Sequence, residues 1–99
     1  MRYRKKPVVI EAFQMTRERR ADNRDWPEWL NKAWNNTRPE PGAVSCENYP
    51  ASDGSDRLLI FTLEGPLVVS WDDWIIRGVK GELYPCKPDI FAATYEAAE

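Results

Sequence analysis

Between Arg57 and Tyr84 the chain sets four short apolar runs in succession, separated only by turn residues. Connections this short fit antiparallel hairpins. Arg57-Leu-Leu-Ile-Phe-Thr-Leu63 is apolar on both faces, as expected of a central strand. Glu64-Gly65 suits a tight turn, and Pro66-Leu-Val-Val-Ser70 returns as the antiparallel partner. Trp74-Ile-Ile-Arg77 and Glu82-Leu-Tyr84, joined by Gly78-Val-Lys-Gly81, read as a second hairpin.

The remaining segments complete an α+β pattern. Pro7-Val-Val-Ile-Glu-Ala-Phe-Gln14 is rich in β-branched residues and reads as a strand, with the wholly apolar Val8, Ile10, Ala12 face toward the core. Residues 16–24 are charged and aperiodic, a loop or one solvated helical turn. Asp25-Trp-Pro-Glu28 has the form of a helix start, with Asp25 as cap and Glu28 completing a capping box. Trp26, Leu30, Ala33 and Trp34 then make one apolar stripe of a helix ending near Asn35, before Asn35-Asn-Thr-Arg-Pro-Glu-Pro-Gly42. Residues 43–49 suit a short strand and residues 50–56 a loop. Pro88 occupies the favoured first position of a helical turn reaching about Thr94. No repeated strand–helix–strand unit is present. The pattern predicts one α+β domain over residues 1–99. Its form is a curved antiparallel sheet with one main helix on one face and a short C-terminal helical turn.

Charge, tryptophan and cysteine narrow the function classes. Residues 1–24 carry eight Arg and Lys against three acids, whereas residues 25–99 carry six against thirteen. A basic arm on an acidic body fits a segment lying against its own body, or against that of a second copy. Phosphate-binding domains are usually basic throughout, which disfavours a nucleic-acid partner. Five Trp in 99 residues are too many to bury cheaply, so two or three belong in the core and at least one at a partly exposed surface. Cys46 and Cys86 stand forty residues apart and the chain has no His, which excludes the common zinc-finger and ribbon sites. The apolar run behind Met1-Arg-Tyr-Arg-Lys-Lys-Pro7 is too short and polar for a signal peptide, and no segment approaches the ~20 apolar residues of a membrane span. These features predict a cytoplasmic protein with reduced cysteines, no membrane partner, no metal and no cofactor.

Without His, acid–base chemistry at neutral pH falls to a carboxylate, Lys, Tyr or Cys with a shifted pKa. Asp72, Asp73, Glu82 and Asp89 are the nearest acids, but adjacent strand residues point to opposite faces, so Asp72 and Asp73 cannot share a pocket outside a turn. Asp73 is expected to close a turn by accepting backbone N–H groups, and no catalytic residue is assigned. The cysteines lack an activating partner and read as core or edge residues. Gly78-Val-Lys-Gly81 lacks the longer glycine-rich frame of a phosphate loop. The binding candidates are Trp71, Asp73, Trp74, Arg77, Lys80, Tyr84 and Lys87, cations interleaved with aromatics that could wall an anionic, nucleotide-like ligand.

Two blocks also resemble a family of small phage and prophage proteins named for a Pro-Gly-Asp-Tyr-Gly motif. They are Tyr3-Arg-Lys-Lys-Pro-Val-Val-Ile-Glu-Ala-Phe-Gln14, and Thr62-Leu-Glu-Gly65 with Ile75-Ile-Arg-Gly-Val-Lys-Gly-Glu-Leu-Tyr-Pro-Cys-Lys-Pro-Asp-Ile-Phe91. Where the family has Pro-Gly-Asp-Tyr, this chain has Trp71-Asp72-Asp73-Trp74, keeping Asp73 and an aromatic at 74. The resemblance implies a phage or prophage setting in a bacterial host; it implies no activity and no catalytic residues. Two readings follow. One is a non-enzymatic binding module for a host or phage protein, acting through an aromatic surface or a sheet edge and pairing as a homodimer. The other is a binder, or a modifier, of a nucleotide-like ligand at the second hairpin.

Overall fold

Both hairpins form. In the computed structural model, which describes residues 1–4 and 6–98, β1 (Glu11–Gln14) and α1 (Arg17–Ala21) are followed by a 3-10 turn (Asn23–Asp25), then α2 (Glu28–Asn35). β2 (Val44–Cys46), β3 (Leu58–Thr62), β4 (Gly65–Val69), β5 (Trp74–Arg77), β6 (Leu83–Cys86) and α3 (Pro88–Thr94) complete the α+β order. Lys5, part of the basic arm and of the first resembling block, lies outside the described residues.

The strands divide into two antiparallel three-stranded sheets, β1-β5-β6 and β2-β3-β4, rather than one. As expected, β3 is central, with Leu59 opposite Ser45 on one side and Val68 on the other. The division arises at the bend between β4 and β5. Asp72 adopts a left-handed φ of 70°, its N–H donates to Met15 O (2.8 Å), and Met15 N–H donates to Asp73 O (2.9 Å). These bonds continue the β1–β5 ladder, so β5 aligns beside β1 and not beside β4.

The first strand is shorter than its sequence suggests. Its ladder, from Glu11 opposite Arg77 to Gln14 opposite Trp74, uses every residue of β5 before Gly78 ends that strand. Residues 7–10 are left without a partner, and Val8 is exposed. The expected core face is also corrected. Phe13 packs on the main core with Ile75 and Leu83, while Ala12 lies opposite Ile76 on the other face of the sheet. That face has its own apolar cover: Trp74 stacks on Phe91 of α3 with centroids 4.1 Å apart and planes at 6°.

The helix ends at Asn35 as its pattern implies, but begins without the Asp25 cap. A residue before proline is pushed out of the helical region; Trp26 has ψ 134°, and Asp25 belongs to the 3-10 turn. Pro27 is the N-cap and makes no side-chain cap bond. The stripe itself faces inward, with Trp26, Leu30 and Ala33 buried and Trp34 edge-on to Trp26 at 5.9 Å.

The 16–24 region is a short helical turn and part of a 3-10 turn, mostly exposed as expected, with Arg20 the buried exception. Thr16 caps α1 by accepting Arg19 N–H at 3.2 Å, and Arg20 is buried against the loop before β3. Its guanidinium meets Asp56 Oδ1 at 2.8 Å and Asp56 O at 2.9 Å. Burial alone would push Asp56 up, but the Ser52 hydroxyl, the Asn48 N–H and Arg20 together hold it at about 2.

Candidate functional site

The tips of the two hairpins stand on either side of a groove. The β3–β4 connection has only Leu63 and Glu64 between paired Thr62 and Gly65. Thr62 Oγ1 donates to Gly65 O at 2.7 Å and accepts Glu64 N–H at 3.1 Å. This tight closure holds Leu63 outward, 93% exposed. At the other tip, Gly81 N–H donates to Gly78 O (2.9 Å) and Gly78 N–H to Glu82 O (2.8 Å). Glu82 folds its carboxylate back over Gly78, where any side chain at 78 would collide with it.

The groove has a volume of about 510 Å³ and is predominantly apolar, lined by Phe61, Leu63, Leu67, Leu83 and Tyr84, with Glu64, Lys80 and Glu82 among its polar groups. Its position follows from strand alternation. Leu67 shares the inner face of its sheet with Ile60 and Val69, and Leu83 shares the inner face of the other with Ile75. The groove is therefore the open mouth of the space between the sheets. It is flanked by β4 and β6, each an edge strand of its sheet. Burial, followed by a hydrogen bond with Tyr95, pushes the Tyr84 phenol up to about 12, so it keeps its proton at neutral pH.

Of the seven residues singled out by sequence, the structure brings Lys80 and Tyr84 together on this groove. Asp73 and Lys87 meet in an ion pair at 3.8 Å. Asp73 is buried and its Oδ2 accepts Ser70 N–H at 2.9 Å, the turn closure expected of it. The other three are dispersed. Alternation along β5 sends Trp74 under α3 and Arg77 to the opposite face, where Arg77 Nη1 bonds Glu11 Oε1 at 3.1 Å. Trp71 lies beneath the Arg17 guanidinium, 4.6 Å from the ring centroid. Arg77 and Lys80 line separate cavities and do not converge on one anion. Cys86 is half-buried on β6, and burial pushes its thiol up, which disfavours a thiolate nucleophile.

The apolar half of the groove escaped sequence reading. The sequence reads Leu63 as the end of a central strand; its place directly before Glu64-Gly65 is the one local signal of a turn. Nothing in the local sequence joins Leu67 to Leu83, because their proximity depends on how two separate sheets pack.

No protein-family model, curated protein or solved structure matches the chain. Among the described residues, no helix is long and apolar enough to cross a membrane.

Proposed function

We propose that the protein is a non-enzymatic binding module that takes an extended, apolar segment of a partner protein into the groove between β4 and β6. The observation carrying this reading is the groove itself: a volume of about 510 Å³, lined by leucines and aromatics, at the meeting of two edge strands. Apolar concavities of this size with a few placed polar groups are common ligand sites, and strand edges offer backbone partners to an extended peptide. Glu64 and Glu82, against the single Lys80, leave the groove net acidic and favour a segment carrying positive charge beside its apolar residues. The resemblance of the two terminal blocks supports a phage or prophage accessory role, with a host or phage protein as partner, in the bacterial cytoplasm. The nucleotide-binding alternative lacks a comparable feature, since Arg77 is held by Glu11.

Selection of displayed random peptides on the purified protein tests the reading. Enriched peptides are expected to combine apolar and basic residues and to lose binding to the Leu67→Asp variant. Absence of enrichment, or equal binding to Leu67→Asp, would refute the groove as the site.

A further inference from the structure

Residues 1–10 have the chemistry that the groove selects. They hold Arg2, Arg4, Lys5 and Lys6 with no acid, followed by Val8, Val9 and Ile10. The described part of this arm forms no helix or strand. Ile10 is partly buried, but Tyr3 is 89%, Val9 78% and Val8 48% exposed. Val8 and Val9 are therefore an exposed apolar pair on a basic, unpaired segment.

The arm also leaves the body at the right place. Glu11 lies opposite Arg77, and Arg77 opposite Leu83. The arm thus departs from the end of its sheet that carries the Gly78–Glu82 loop and one wall of the groove. Ten residues span up to ~33 Å at ~3.3 Å each. If two copies place these ends together about a two-fold axis, each arm is within reach of the other's groove. Such a contact is self-complementary, so two arms are exchanged at once.

We infer that the groove of one copy receives residues 1–10 of a second copy, with Val8 and Val9 against Leu63 and Leu67, and the arm's cations beside Glu64 and Glu82. This rests on the reading of the groove as a peptide site and names its occupant. It also makes the arm a competitor of any partner segment that uses the same groove.

Charge exchange in the full-length chain tests the inference. One variant carries Arg2→Glu, Arg4→Glu and Lys6→Glu; the other carries Glu64→Lys and Glu82→Lys. Each alone faces like charge in both contacts, whereas a 1:1 mixture pairs opposite charges in both. Sedimentation is expected to show a dimer for the parent, weakening as salt is raised. Each variant's dissociation constant is expected to rise at least about tenfold, and the mixture to return within about threefold of the parent. Leu67→Asp, which leaves the Gly78–Glu82 turn untouched, is expected to be monomeric with an unchanged circular dichroism spectrum. A parent that stays monomeric at high micromolar concentration and low salt would overturn the inference, as would variants that fail to associate when mixed. If that monomer still binds the selected peptides through Leu67, arm exchange fails alone; if it binds none, the groove reading fails with it.

Discussion

The two sheets have the same number of strands and opposite cover. In β1-β5-β6, the adjacent residues Ile75 and Ile76 are both fully buried, one against the main core and one on the face that α3 covers with Phe91. In β2-β3-β4, the inner Leu58, Ile60 and Val69 are buried, but Leu63, Leu67 and Val68 remain exposed on or beside β4. The second sheet is instead secured at the entry to β3, where Arg20 of α1 grips Asp56. One sheet is finished by a helix; the other is pinned by an ion pair and left with apolar surface uncovered. That residual surface is where a small domain can bind something else.

The difference can be broken at the pin. Removing one partner of a buried ion pair leaves the other charge unpaired, so Asp56→Ala is expected to cost about 3–5 kcal/mol in denaturant unfolding. The same pair gives an acid limit. Asp56 is held at about 2 in the fold, below its ordinary value of 3.8. Its stabilisation is therefore fully present above about pH 4, and is lost as pH falls from there toward 2. Acid unfolding of the parent is expected to show this loss, and Asp56→Ala to lack it.

A paired truncation sharpens the contrast in cover. Ile76→Ala is expected to cost about 2–5 kcal/mol, because it opens a cavity between β5 and α3. Val68→Ala on β4 is expected to cost less than about 1 kcal/mol. Equal losses at the two sites would show that β4 is covered after all.

The bend between the sheets gives smaller effects. Asp73→Asn is expected to cost about 1–2 kcal/mol, since the amide keeps an acceptor for Ser70 N–H but loses the charge facing Lys87. At Asp72, φ is 70°, in the left-handed region that glycine adopts freely. Asp72→Gly is expected to stay within about 1 kcal/mol of the parent, whereas Asp72→Val costs about 1–3 kcal/mol because a β-branched residue disfavours that region. Thermal unfolding of the two variants side by side measures the gap.

What the sequence disclosed follows the range of the interaction. Turn glycines, Pro88 and the alternating apolar runs act within a few residues, and they locate both hairpins, the inward stripe of α2 and the start of α3. The split into two sheets depends on Asp72 and Asp73 meeting Met15, a contact between distant segments with no local signature. The Arg20–Asp56 pair was hidden for the same reason, since each residue sits in a stretch whose composition reads as solvated loop. Among the candidate site residues, Lys80 and Tyr84 were found because they flank a visible hairpin. Trp74 and Arg77, grouped with them by proximity in sequence, are separated by the alternation of the strand that carries both.

The most direct test of the groove is a nuclear magnetic resonance titration. The receiver is the variant with Arg2, Arg4 and Lys6 changed to Glu, and the probe is a synthetic peptide of residues 1–10. The account predicts that shifts concentrate at the amides of Leu63, Glu64, Leu67 and Lys80 to Tyr84, with Ile76 and Phe91 unmoved. Shifts centred on the Trp74–Phe91 face, or no shifts at the groove amides at saturating peptide, would contradict it.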